Sequence, residues 1–175
     1  PISSGFRASN GLGISPDGQI TCGDNEGSFV PASPIHWVEP GKFHGVVDSY
    51  RGPQKLKTEP IARYFIPMRP KRWSEKIKAE GGNIAEMVDH SEMPKPLAWL
   101  SKRRKVDNSG GGQVWAGKNW GPLSGEMLHL SYGQSKVYLV LKENKNGLMQ
   151  GGVVNLPFKL TSSAMRARVN PHDGQ

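Results

Sequence analysis

The sequence predicts an all-β protein built from short strands, and three features support that prediction. The 175 residues include 22 Gly and 14 Pro. A helical bundle could not hold so many, because an interior Gly costs about 1 kcal/mol and an interior Pro about 3 kcal/mol. Short apolar segments recur along the chain with turn residues between them. No run of 18 apolar residues is present, so we expect no membrane span.

The first strands fall between residues 12 and 39. The segments LGIS and QITCG flank Pro16, Asp17 and Gly18, which predict a tight turn because Pro presets φ and Gly accepts a positive φ. The segment IHWVE follows as a third strand and is closed by a Pro-Gly pair. The pattern therefore predicts a β-hairpin followed by a third short strand.

The composition changes between residues 49 and 96. Nine basic residues lie between positions 51 and 78, Pro recurs, and a helical pattern covers residues 74–88. We interpret 49–96 as a basic, partly helical insertion in one domain that covers residues 1–175. The net charge of +8 raises nucleic acid as a partner. Because no nucleic-acid-binding motif accompanies the basic runs, we expect a solvated segment and no nucleic-acid partner.

Strands resume after the insertion, in the segments QVWAG, EMLHLSY, KVYLVLK, GGVVNLP and AMRARVN. Short strands separated by turns are typical of a sandwich, a barrel or a propeller. A weak internal repeat favours the propeller, because FRASNGLGISPDGQ near the start resembles MRARVNPHDGQ near the end. The two copies are separated by about three to four blade lengths. The sequence therefore predicts a partial β-propeller of about three to four blades.

Cys22 is the single cysteine of the chain. It excludes an internal disulfide, a cysteine-based zinc site and a haem attachment motif within these residues. The chain begins at Pro1 without a signal-peptide pattern and ends just after a turn, so we expect an internal fragment of a longer protein.

The segment GFRASNGLGISPDGQITCGDNEG, followed by PIHWVEPGKFHG, is the first of several informative motifs. It resembles the glucose/sorbosone dehydrogenase family, the soluble quinoprotein sugar dehydrogenases. The second half, from DNSGGGQVWAGKNWG to KVYLVLKENKNG, resembles later blades, and MRARVNPHDGQ resembles an Arg-x-Arg strand that precedes a Pro-Asp-Gly turn. The resemblance covers about two thirds of the chain, omits residues 49–96, and is closest to the sorbosone-dehydrogenase-like domain of large secreted bacterial proteins.

This resemblance implies a six-bladed β-propeller that oxidises a sugar or a sugar aldehyde. Pyrroloquinoline quinone held with Ca²⁺ would accept the hydride, and a cytochrome c could take the electrons onward. The resemblance also implies a periplasmic or secreted protein. The family's general-base His corresponds to a position upstream of Pro1, so no catalytic residue is assigned.

The resemblance assigns three residues to the cofactor. Arg7 matches an Arg before the Gly-Leu segment that contacts the quinone. Arg166 matches an Arg that pairs with the quinone carboxylates, a chemistry that guanidinium forks suit. Lys136 lies close to the place of a cofactor-binding Lys. A pair of structural arginines that tie adjacent blades is the other interpretation of Arg7 and Arg166.

Asp24, Asn25 and Glu26 lie in a Gly-flanked loop after a strand, where the family binds Ca²⁺ through backbone carbonyls. Hard cations prefer such oxygen donors, although an ordinary acidic turn has the same composition. The segment SNGLGISPDG also resembles sugar lactonase propellers, and in that interpretation Asn10 is a metal ligand of a hydrolase. A non-catalytic propeller that binds a carbohydrate or a protein is the third interpretation.

Two histidines carry separate expectations. His129 lies inside an apolar strand segment, and we expect it to be a buried core residue. His44 lies in the loop PGKFHG, where an exposed role is open to it.

Overall fold

The computed structural model describes residues 2–26, 30, 32–46, 93–101, 106 and 110–174. Apart from one 3₁₀ turn, Gly121–Leu123, every regular element in these residues is a β-strand. The predicted all-β class is confirmed. Among the described residues, no helix is long and apolar enough to cross a bilayer.

The eight strands form two antiparallel sheets of four strands each, and each sheet follows chain order. The first sheet contains β1 (Gly11–Ile14), β2 (Ile20–Gly23), β3 (Ser33–Trp37) and β4 (Ala98–Leu100). The second contains β5 (Gln113–Trp115), β6 (Met127–Ser131), β7 (Lys136–Lys145) and β8 (Leu148–Lys159). Four antiparallel strands in sequence order make a propeller blade. The chain is therefore a partial propeller with two blades in its described part, and the expected three to four stay a prediction.

The described residues fall into two compact units. The first contains residues 2–7, 30, 39–46 and 93–95, and the second contains residues 8–26, 32–38, 96–101, 106 and 110–174. In the first unit, Ser4 pairs with Phe43 through an isolated parallel bridge. His44 is buried there, with its ring stacked 4.8 Å from the ring of Phe6. The exposed role that the sequence left open for His44 is therefore wrong, because its side chain is buried with an aromatic ring against it.

Two apolar clusters hold the second unit together. One joins the two sheets through side chains of β3, β4, β6 and β7, among them Ile35, Leu100, Met127 and Val140. The other covers the opposite face of the second sheet, where Val114, Leu128, Leu130 and Val137 pack against the segment that follows β8. Each face of the second sheet is thus covered by a different part of the unit, as packed blades require.

Turns end the strands where the sequence indicates them. The Gly18 N–H donates to Ser15 O over 2.9 Å, and Gly18 has a φ of 88°, so the predicted turn between β1 and β2 is confirmed. The turn between β7 and β8 places Asn146 at φ 55° and Gly147 at φ 84°. Both residue types tolerate a positive φ.

Two strand predictions fail. The segment AMRARVN forms no strand in residues 164–170. The Gly112 N–H donates to Met165 O over 2.8 Å, and one such bond does not make a strand ladder. Strand β4 was not predicted, because its three residues are too few to show a period. The expected helical insertion lies outside the described residues except for positions 93–96, of which Met93, Pro94 and Pro96 are buried.

Candidate functional site

The candidate site is a cavity in the second unit of about 320 Å³. It lies where the beginning of β1, the beginning of β5 and the segment after β8 come together. Its lining residues are Ser9, Asn10, Gly11, Leu12, Gly112, Gln113, Arg166, Ala167 and Arg168. Its volume is at the lower end of the range for small-molecule sites.

Glycine residues allow β1 and the beginning of β5 to approach each other closely. A Cβ atom at Gly11 would overlap the Cα of Gly112, and one at Gly13 would lie 2.8 Å from the Cβ of Gln113. The backbones of β1 and β5 therefore meet with almost no side chain between them. The cavity opens beside this contact.

Two arginines make the cavity strongly cationic. Arg166 and Arg168 both line it. The Arg166 Nε donates to the backbone oxygen of Asn10 over 3.3 Å. Guanidinium groups stay charged and pair with planar carboxylates or phosphates through two parallel hydrogen bonds. The cavity is therefore suited to an anionic ligand.

Asp24 and Asn25 lie behind the cavity wall. Asp24 is fully buried, and its Oδ1 accepts the N–H groups of Ala8 and Asn25, each over 2.8 Å. The Asn25 Oδ1 accepts the Gly110 N–H over 2.6 Å. These two side chains therefore bind backbone N–H groups of the protein itself, next to the residues that line the cavity.

Cys22 lies on β2, two residues before Asp24. Burial, with the Asp24 charge as a second cause, raises the pKa of the Cys22 thiol to about 12, although a hydrogen bond with the Ser9 side chain acts in the opposite direction. The thiol is therefore protonated at neutral pH and is a poor nucleophile.

A row of buried polar side chains crosses the second sheet beside the cavity. The Gln113 Nε2 lies 3.1 Å from the Nδ1 of His129, and the His129 ring stacks 6.4 Å from the ring of Tyr138. The Tyr138 hydroxyl donates to Val106 O over 2.7 Å. The prediction that His129 is a buried core residue is confirmed.

The structure brings only some of the predicted site residues together. Arg166 and Asn10 share the cavity. Lys136 begins β7 at the same end of its sheet, but two strands from β5, about 10 Å away. Glu26 is half-buried at the end of its loop. Arg7 is exposed and belongs to the first unit, so its contact with the quinone stays a prediction.

Arg168 and Gln113 are among the lining residues that were missed from sequence. The Arg-x-Arg spacing in MRARV was the available signal for Arg168. Gln113 gave no signal, because a single Gln in a strand has no distinctive pattern. Within the described ranges, no group of three or more His, Cys, Asp or Glu side chains could hold a metal.

Comparison with known proteins supports the fold. No protein-family model matches this chain, and no curated protein matches it significantly. Among solved structures, the chain is similar to an oxidoreductase from Thermus thermophilus that is assigned as a glucose dehydrogenase. The TM-score is 0.57 and the identity 14%, over 97% of this chain and 38% of that one.

A second similar structure is the soluble aldose sugar dehydrogenase of Escherichia coli. Its TM-score is 0.54 and its identity 11%, over 99% of this chain and 41% of that one. The chain therefore spans about two fifths of the length of the solved structures that it matches. This chain therefore has the fold of part of these solved structures, in agreement with a partial β-propeller.

Proposed function

We propose that this chain is part of a sugar or sugar-aldehyde dehydrogenase that uses pyrroloquinoline quinone. The observation that carries the proposal is the cavity between β1 and β5, with Arg166 and Arg168 on one wall. The fold shared with two solved sugar dehydrogenases and the motif resemblance support the same conclusion. The sugar substrate, the cytochrome c acceptor and the periplasmic or secreted location are parts of this proposal.

The cavity residues fit a carboxylated, planar cofactor. Arg166 and Arg168 can pair with carboxylate groups, while the exposed side chain of Leu12 supplies an apolar surface for a flat ring. Gly11 and Gly112 leave the backbone open to close approach. When bound, the quinone would accept a hydride from the sugar. The two arginines would bind and orient it, and Leu12 would exclude water from one face.

Two contacts in the described residues weigh against calcium. The Asp24 Oδ1 already accepts two backbone N–H groups, and the backbone oxygen of Asn10 accepts a hydrogen bond from the Arg166 Nε. The positive charge of that guanidinium would repel a cation at Asn10. Calcium at residues 24–26 stays a prediction that a melting experiment with and without Ca²⁺ can check.

One observation favours the hydrolase alternative, since Asn10 does line the cavity, as a lactonase-like metal ligand would. The same Asn10 contacts Arg166, which disfavours a metal there. A non-catalytic carbohydrate-binding or protein-binding propeller would need the cavity but no cofactor.

The test uses the protein expressed from its complete reading frame. Quinone binding is measured from the quenching of tryptophan fluorescence, and oxidation of an aldose is followed with a redox dye. Arg166→Ala and Arg168→Ala should each weaken quinone binding by about 10-fold to 100-fold, because hydrogen bonds to charged groups contribute about 1.5–3 kcal/mol. Lys145→Ala is the matched control, since it removes one positive charge at the far end of β7.

Each other outcome identifies an alternative. Failure of the wild-type protein to bind the quinone would overturn the proposal. Calcium-dependent lactone hydrolysis that is lost in Asn10→Ala would establish the hydrolase. Sugar binding without turnover would establish the binding propeller.

A further inference from the structure

Asp24 and Asn25 connect the two backbone segments that line the cavity, although neither side chain lines it. The first segment is residues 9–12 at the beginning of β1, and the second is residues 112–113 at the beginning of β5. We call the contacts of the two side chains with the backbone beside these segments the polar clamp.

One half of the polar clamp is the Asp24 carboxylate. The Asp24 backbone N–H donates to Pro34 O on β3 over 3.0 Å, which anchors the residue in the first sheet. Its Oδ1 accepts the Ala8 N–H over 2.8 Å, directly before the first lining segment. A buried carboxylate without such donors would be strongly destabilising, so this contact fixes the place where the segment begins.

The other half of the polar clamp is the Asn25 amide. Its Oδ1 accepts the Gly110 N–H over 2.6 Å, two residues before the second lining segment. Gly110 is so close to Asp24 that a Cβ there would lie 2.6 Å from the Asp24 backbone oxygen. Adjacent residues of one loop therefore hold the approach to both lining segments.

Both segments also contact residues 165–166, the arginine segment. The Asn10 oxygen accepts the Arg166 Nε over 3.3 Å, and the Gly112 N–H donates to Met165 O over 2.8 Å. The hydrogen bonds thus form a closed circuit, with Asp24 and Asn25 on one side and residues 165–166 on the other. A change in the clamp must alter the separation of the segments or break a bond of this circuit.

We propose that Asp24 and Asn25 are positioning residues for the ligand of the cavity. By fixing the separation of the two lining segments, they place Arg166 where it can pair with an anionic group. The role requires no metal and differs from the role of metal ligand that the sequence predicts. The proposal rests on the proposed function for the identity of the ligand, which is pyrroloquinoline quinone in the experiments that follow.

The first experiment measures quinone affinity in matched variants. Asn25→Ala removes the acceptor for Gly110, and Asn25→Asp keeps an oxygen in the same place. We expect Asn25→Ala to weaken quinone binding about tenfold and Asn25→Asp to restore most of the loss. Asp17→Ala, in the turn at the other end of β1, is the control and should leave the affinity unchanged.

A double-mutant cycle separates positioning from general destabilisation. If Asn25 acts through Arg166, the variant with both Asn25→Ala and Arg166→Ala should bind the quinone little worse than Arg166→Ala alone. The proposal would be overturned if the losses in quinone affinity of the two single variants multiplied in the double variant. It would also be overturned if Asn25→Asp bound the quinone as weakly as Asn25→Ala.

The second experiment needs no ligand. Amide hydrogen exchange of the Gly112 N–H, whose acceptor is Met165 O, should become faster in Asn25→Ala than in wild type, while the Asp17→Ala control stays unchanged. If the wild-type protein binds no quinone, the proposed function fails. The exchange rate of the Gly112 N–H then tests by itself whether the polar clamp holds the two segments. Unchanged exchange would overturn the clamp, and faster exchange with unchanged quinone affinity would overturn its role in binding.

Discussion

The first strands of the two blades, β1 and β5, differ in construction from the long β7–β8 hairpin of the second blade. We call β1, β5 and the residues around their contact the inner region. Strands β1 and β5 have four and three residues and meet backbone to backbone through glycines. Strands β7 and β8 have 10 and 12 residues, and Leu141, Val154 and Phe158 on them are about half exposed. The cavity therefore lies where close backbone contacts and polar contacts hold the strands together, whereas buried apolar side chains hold β7 in its sheet.

Glycine positions express this difference most directly. A Cβ at Gly111, beside the cavity, would overlap the backbone oxygen of Leu130, whereas a Cβ at Gly152 on β8 would meet nothing within 4 Å. Neither residue has a positive φ, so available space alone separates them. The inner region should therefore tolerate few changes and the hairpin many.

The largest expected effect concerns the accessibility of the inner region. Cys22 on β2 is buried, and its pKa is raised from 9.0 to about 12. Below pH 9 the thiolate fraction is therefore lowered about a thousandfold. We expect Cys22 to react with a thiol reagent at least a thousandfold more slowly in the native than in the unfolded protein, with a rate that continues to rise with pH above 9.

A hairpin thiol is the matched control for Cys22. In a Cys22→Ala background, Val154→Cys places a thiol at a half-exposed position of β8. It should react at the rate of an ordinary exposed cysteine, with a rate that levels off above about pH 10, whereas the rate of Cys22 continues to rise. Fast labelling of native Cys22 would show that the inner region is open.

The second prediction compares two Gly→Ala changes. Gly111→Ala should lower the free energy of unfolding by about 3 kcal/mol, because the new methyl group overlaps the Leu130 carbonyl and the backbone must move. Gly152→Ala should change it by less than about 0.5 kcal/mol. Urea denaturation measures both. Equal effects would remove the distinction between the inner strands and the hairpin.

The third prediction compares two valines of the second sheet. Val140 is fully buried in the cluster between the sheets, while Val154 is 46% exposed. Val140→Ala should lower the free energy of unfolding by about 2 kcal/mol, from lost burial and a small cavity. Val154→Ala should cost less than about 0.5 kcal/mol. A similar loss in both variants would mean that the exposed face of the hairpin is covered in solution.

Sequence alone predicted the parts of the fold that local chemistry determines. The turn at Gly18 and strands β2, β6 and β7 follow from turn residues and from runs of β-branched or apolar residues. Strand β4 could not be predicted, because its three residues pair with β3, which lies more than 60 positions earlier in the chain. The AMRARVN segment has a strand composition but lacks the partner strand that would make it one.

The site was predictable only where it depends on residue type. Arg166 and Asn10 were named because their segments resemble motifs of known families, and both residues line the cavity. The location of Asp24 behind the cavity was not predictable, since an acidic loop looks the same whether its carboxylates face a ligand or backbone N–H groups. For the Asp24 carboxylate, that difference is set by the N–H groups of Ala8 and Asn25, and Ala8 lies 16 positions away in sequence.

The smallest expected effect is a loss of stability that should be equal in the β1–β2 turn and in the β7–β8 turn. Gly18, between β1 and β2, and Gly147, between β7 and β8, have φ values of 88° and 84°, and a Cβ on either would meet nothing within 4 Å. Only the strain of a positive φ therefore opposes Ala at these positions, at about 1 kcal/mol each. Gly18→Ala and Gly147→Ala should lower the melting temperature by similar amounts. A much larger loss for Gly18→Ala would mean that the β1–β2 turn transmits strain to the cavity, and the inner region would then be sensitive beyond its glycine contacts.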